Sequence, residues 1–119
     1  IQQAGVVALR DGEAFIKESN ERYLKALSVF SDWASSEDRV EFDRPEATFY
    51  AFFSVNDVTD SMSMAKDLLI SHNVGLAPGC AFGQQYDSYL RLCFAASLPK
   101  LERGLVGISS WLQGPIGKK

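Results

Sequence analysis

Tyr89-Leu90-Arg91-Leu92-Cys93-Phe94 is the stretch whose reading decides the fold. Leu90, Leu92 and Phe94 alternate, as side chains do along a strand, and so define a core face. Tyr89, Arg91 and Cys93 share the opposite face. Upstream, residues 49–55 are aromatic-rich and carry no charge, which reads as a second central strand buried on both faces.

Working outward from these two strands, the rest of the chain falls into place. Asp60 is a good N-cap for a helix over 62–71, with Met64, Ala65, Leu68 and Leu69 as its inner face. Asn73-Val74-Gly75 stops that helix, and 74–77 can form a short strand before the turn at Pro78-Gly79. Residues 84–88 read as a polar loop. Ser97, with Pro99 shortly after it, opens a last helix whose Leu101, Leu105, Ile108 and Leu112 share one face until Gly114-Pro115. Val40-Glu41-Phe42 alternates like a short strand, and Pro45 marks a turn.

The N-terminal third is different. Residues 1–9 are small and apolar and break at Arg10-Asp11-Gly12. From Glu13 a long amphipathic helix follows, with Ile16, Asn20, Tyr23, Leu27, Phe30 and Ala34 in steps of four and three and Leu24 widening the stripe. Lys17, Glu18, Glu21, Arg22 and Lys25 fall on its water side, and the helix ends at 35–38. A helix so long implies a large surface to lie against. The predicted fold class is therefore α/β: a two-layer unit with helices packed on one small sheet, preceded by a long connecting helix.

Composition bounds the function. The 119 residues are 46% hydrophobic and 23% charged, which suits one soluble globular domain. No stretch is long and apolar enough to span a bilayer, and no secretory signal opens the chain. A net charge of −3 with both signs interspersed gives no footprint for nucleic acid. Cys80 and Cys93 lack metal-ligand spacing and read as reduced packing cysteines, consistent with the cytoplasm. The start at Ile1, without methionine, suggests a fragment.

Arg91 is the residue that stands out chemically. A guanidinium in so apolar a strand is costly unless it is paired with an anion or lies at a rim. Its rigid fork suits a bidentate carboxylate, from a neighbouring Asp or Glu or from a ligand. Local physics puts the neighbouring side chain first. His72, the only histidine, reads as a solvated residue at a helix end, and the carboxylates look like loop and cap residues.

The order of motifs also resembles a known family. Pro45-Glu46-Ala47-Thr48-Phe49-Tyr50 is followed by a helix and Val74-Gly75, then by Pro78-Gly79-Cys80-Ala81-Phe82-Gly83. Next come Leu90-Arg91-Leu92-Cys93-Phe94-Ala95 and Leu101-Glu102-Arg103-Gly104-Leu105. This series is similar to the C-terminal part of class I/II aminotransferases, the aspartate aminotransferase-like, fold type I enzymes that use pyridoxal 5'-phosphate. The chain departs from the family pattern at Ala47, where a glycine is usual, at Lys25-Ala26-Leu27, and at Tyr86-Asp87-Ser88.

The resemblance implies that 1–36 is the end of a large domain with the helix joining it to the next, and that 37–119 is a C-terminal small domain. It implies amino acid and 2-oxo acid substrates, a homodimer, and Arg91 as the ligand of the substrate α-carboxylate. It also places the cofactor-binding and catalytic residues outside this chain, so no catalytic, cofactor-binding or metal residue is expected in it. Two alternatives stay open: a stand-alone ferredoxin-like small-molecule-binding or regulatory domain, or another fold type I enzyme such as a lyase, decarboxylase or acyl-CoA-condensing enzyme.

Overall fold

A computed structural model describes residues 1–114. The chain runs through α1 (Gln2–Asp11), α2 (Glu13–Ser36), β1 (Val40–Phe42), β2 (Tyr50–Val55), α3 (Ser61–His72), β3 (Ala77–Pro78), β4 (Tyr89–Cys93) and α4 (Leu98–Leu112). Two short 3-10 turns, Gly79–Phe82 and Gln84–Tyr86, link β3 to β4. The four strands form one antiparallel sheet in the order β1-β2-β4-β3. The expected α/β small sheet with helices laid on it is what the chain folds into.

The register explains which side chains meet. Ala51 pairs with Leu92 and Phe53 with Leu90 across the central strands. With Val55 and Phe94 they form one closed face, on which α2 lays Ala26, Leu27, Phe30 and Ala34. α3 adds Met64, Ala65 and Leu68, and α4 adds Leu101, Leu105, Ile108 and Leu112. All four predicted α4 positions are buried, because steps of three and four keep them on one side of a helix. Polar links staple the helices together. Trp33 Nε1 donates to Ser109 Oγ at 2.9 Å, Ser109 donates to Glu37, and Arg39 donates to the Leu112 carbonyl at 3.0 Å.

Several expectations need correction. β2 is fully closed on one face only: Ala51, Phe53 and Val55 are buried there, while on the other face Ser54 is buried and Tyr50 and Phe52 are half-buried. An apolar run alone does not say whether both faces are covered by helices. Leu69 is exposed, and Ser61 takes the place on the inner side of α3. Asn73 closes α3 in the left-handed conformation at φ 56, which turns Val74 into the core and delays β3 to Ala77–Pro78. The expected polar loop at 84–88 contains a 3-10 turn. Cys93 is exposed and Cys80 half-buried, so Cys93 is not a packing cysteine.

The stripe of α2 splits in two. Leu27, Phe30 and Ala34 are buried, yet Ile16 and Leu24 are more than half exposed and no residue of α1 is buried. Helix end and start at Gly12 fall where predicted. The closing turn predicted at Gly114-Pro115 involves Pro115, which lies outside the described residues.

Candidate functional site

The open face of the sheet is built by the alternate residues that the core does not use. Phe52 is the cross-strand partner of Arg91, and Tyr50 is the partner of Cys93, so Tyr50, Phe52, Tyr89, Arg91 and Cys93 share that face. Phe52 stacks on Tyr89 with ring centroids 4.9 Å apart, and Tyr86 meets both edge-on at 5.2 and 5.5 Å. Phe82 closes on Phe52 at 5.8 Å. The result is an aromatic wall around a single cation.

Arg91 is half-buried within it. Its guanidinium carbon lies 4.4 Å from the Tyr50 ring centroid and 4.5 Å from that of Phe82. Both distances fall inside the range at which a cation is attracted to a ring face. The neighbouring Asp or Glu anticipated from the sequence is not there. Among the described residues the only ion pair is the surface pair Arg10–Asp11, and no hydrogen bond from the Arg91 guanidinium is formed. The rings, rather than an acid, replace the solvent that the strand takes away.

Local sequence dictates where Phe82 sits. A Cβ at Gly79 would lie 2.0 Å from the Tyr86 carbonyl oxygen and 2.7 Å from that of Tyr89, so only glycine lets the turn press against the start of β4. Gly83 has φ 142, a conformation that side chains resist. Between these two glycines Phe82 is folded back toward Arg91. The turn is also pinned from below. Fully buried Ser61 donates its hydroxyl to Asp87 at 2.8 Å and accepts the Cys80 backbone N–H at 3.0 Å, while its own backbone N–H donates to Asp87 at 2.9 Å. One serine thus ties α3, the 79–82 turn and the entry to β4 together.

Tyr50 and Phe82 were present in the sequence motifs but carried no assigned role. Alternation places Tyr50 and Arg91 on one face only once the register of β2 on β4 is known. The Ser61–Asp87 link joins residues 26 positions apart and had no local signal. His72 is half-buried at the end of α3, where it shares an open cleft of about 590 Å3 with Lys100 and Arg103. A second cleft, about 520 Å3, lies between α2 and residues 46–49. Arg91 lines neither.

The four described lysines, Lys17, Lys25, Lys66 and Lys100, are exposed. A lysine that forms a Schiff base at neutral pH needs burial or a cationic neighbour to lower its pKa, so the described residues do not fit a pyridoxal phosphate site. Among the described residues no group of three His, Cys, Asp or Glu is placed to hold a metal ion, and no helix is long and apolar enough to cross a membrane.

Comparison with known proteins sets this geometry in context. No family model matches the chain. Aspartate aminotransferase of Thermococcus kodakarensis is 37% identical over 105 residues, covering 88% of this chain and 26% of that protein. LL-diaminopimelate aminotransferase of Oleidesulfovibrio alaskensis is 29% identical over 110 residues, covering 92% of this chain and 28% of that enzyme. The structure of a pyridoxal-phosphate-dependent aminotransferase from Streptococcus suis superposes with a TM-score of 0.85 at 25% identity, covering 95% of this chain and 30% of the other. The chain therefore spans between a quarter and a third of the length of the proteins it matches. In sequence and in fold, it is a relative of the fold type I pyridoxal-phosphate-dependent aminotransferases and carries their small-domain architecture.

Proposed function

We propose that this chain forms part of an aminotransferase that exchanges an amino group between an amino acid and a 2-oxo acid, and that Arg91 holds the substrate α-carboxylate. The observation that carries the reading is a half-buried guanidinium with no acidic partner among the described residues. A cation partly withdrawn from water and left in that state is stabilised when an anion arrives. A carboxylate is the anion whose two oxygens match the planar fork.

Held at two points, the carboxylate cannot rotate, which sets the direction of the bond at the adjacent carbon that must break. Pyridoxal phosphate, when bound, supplies the electron sink for that bond breaking. In this reading the cofactor and its lysine belong to the part of the protein outside this chain, and the whole protein is a cytoplasmic homodimer. The stand-alone sensor reading is not favoured, because the relatives named above are aminotransferases that match nearly the whole of this chain.

The test is Arg91→Lys in the full-length protein that contains this chain. A lysine keeps the charge but not the fork, so kcat/KM for the amino acid should fall by an amount on the order of 3–5 kcal/mol in transition-state stabilisation. An Arg91→Lys enzyme with near wild-type kcat/KM would overturn the assignment.

A further inference from the structure

We infer that Tyr50 and Phe82 are positioning residues for Arg91, fixing the plane of its guanidinium before any anion arrives and leaving its donors unspent. This rests on the reading of Arg91 as the carboxylate ligand. An arginine side chain has many rotamers, and one that must be ordered at each binding event weakens that event. Something has to hold it. A protein carboxylate would do so, but it would occupy the same N–H groups and neutralise the same charge that a ligand needs. An aromatic face attracts the cation through its π-electrons and takes no N–H.

Arg91 shows this second arrangement. Ring centroids lie 4.4 and 4.5 Å from the guanidinium carbon, and no protein acceptor is bonded to the guanidinium among the described residues. The two rings come from unrelated places in the chain, one on β2 and one on the 79–82 turn. Each has independent support. Tyr50 packs on Phe49 at 4.6 Å, and Phe82 is set by the close approach at Gly79, the positive φ of Gly83 and the Ser61–Cys80 link. Phe82 itself is 43% exposed, so the core does not explain why the turn presents a phenyl ring here. Shortening it should leave the fold intact.

The experiment uses the full-length protein. Phe82→Leu and Tyr50→Leu, made singly, should each raise KM for the amino acid about tenfold, as expected for loss of one cation–ring contact, with kcat changed less than about twofold. Phe82→Tyr and Tyr50→Phe keep a ring and should restore KM. In an Arg91→Lys background Phe82→Leu should add less than about twofold, because the fork it positions is gone. Independently of turnover, the Arg91 side-chain NMR signals should be displaced upfield by the rings and should move toward the values of an exposed arginine in Phe82→Leu. Equal KM losses in wild-type and Arg91→Lys backgrounds, or no rescue by tyrosine, would overturn the proposal. If Arg91→Lys loses activity while both leucine variants keep KM and the NMR shifts, the positioning role alone fails. If Arg91→Lys retains wild-type kcat/KM, the carboxylate reading beneath it fails.

Discussion

At the scale of single residues, alternation in β4 made Arg91 and its face readable, but its partners were not. Whether a strand arginine meets an acid or a ring depends on the register of β2 and on the path of the 79–82 turn, neither of which is local. Thr48 shows the same limit. The related motif carries a glycine at the position of Ala47, yet the strained residue here is the next one, Thr48, at φ 85. A β-branched side chain in that region costs about 1–3 kcal/mol. Thr48 is exposed beside the cleft at α2, and among the described residues its side chain makes no hydrogen bond that would offset that cost. Thr48→Gly should therefore stabilise the chain by about 1 kcal/mol after the added chain entropy of glycine. Thr48→Ala keeps the Cβ and should gain little. Denaturant unfolding of both variants decides it, and an alanine gain equal to that of glycine would show that strain at Thr48 is not the cause.

At the scale of elements, capping residues and stripes were legible because they act within a few positions. Asp60 was readable as the cap of α3, and the structure shows its carboxylate accepting from the Ser63 backbone N–H at 2.8 Å and the Ser63 hydroxyl at 2.6 Å. The inner face of α3 was only partly legible. Leu69 fits the pattern, but the space it would fill is not offered by the sheet, and Ser61 is buried instead for its bonds to Asp87 and Cys80. The cap has a pH signature. The Ser63 hydroxyl and then its backbone N–H hold the Asp60 carboxyl below its ordinary value. A group whose folded pKa is depressed contributes stability above the unfolded pKa and loses it as pH falls through the folded one. Stability should thus decline as pH drops below about 4. Asp60→Asn retains an acceptor but does not titrate, so its decline over the same window should be shallower. Parallel curves for the two proteins between about pH 5 and about pH 3 would rule out this contribution.

At the scale of the whole molecule, the two halves of the chain differ in kind. Residues from Val40 to Leu112 share one core with the end of α2. Ahead of them α1 and the first turns of α2 project outward, and the radius of gyration, 16.6 Å, exceeds the roughly 13.5 Å expected of a compact chain of this length. The sequence announced this through a stripe longer than the sheet could cover, although it could not say where burial would stop. Burial starts at Ser19 and takes in apolar residues only from Ala26 onward, at Ala26, Leu27, Phe30 and Ala34, which leaves Val6, Val7, Leu9, Phe15, Ile16 and Leu24 in water. Such a run of exposed apolar side chains is unusual on a monomer and favours association. α1 also has no buried residue to resist opening. Amide hydrogen exchange on the 119-residue chain should therefore be slowest in Tyr50–Val55 and Tyr89–Cys93, where central strands bond on both sides, and fast throughout Gln2–Asp11. Sedimentation should show association that rises with concentration. A chain that stays monomeric and protects α1 as strongly as β2 would mean that the N-terminal helices have found a place on the core which the present packing does not provide.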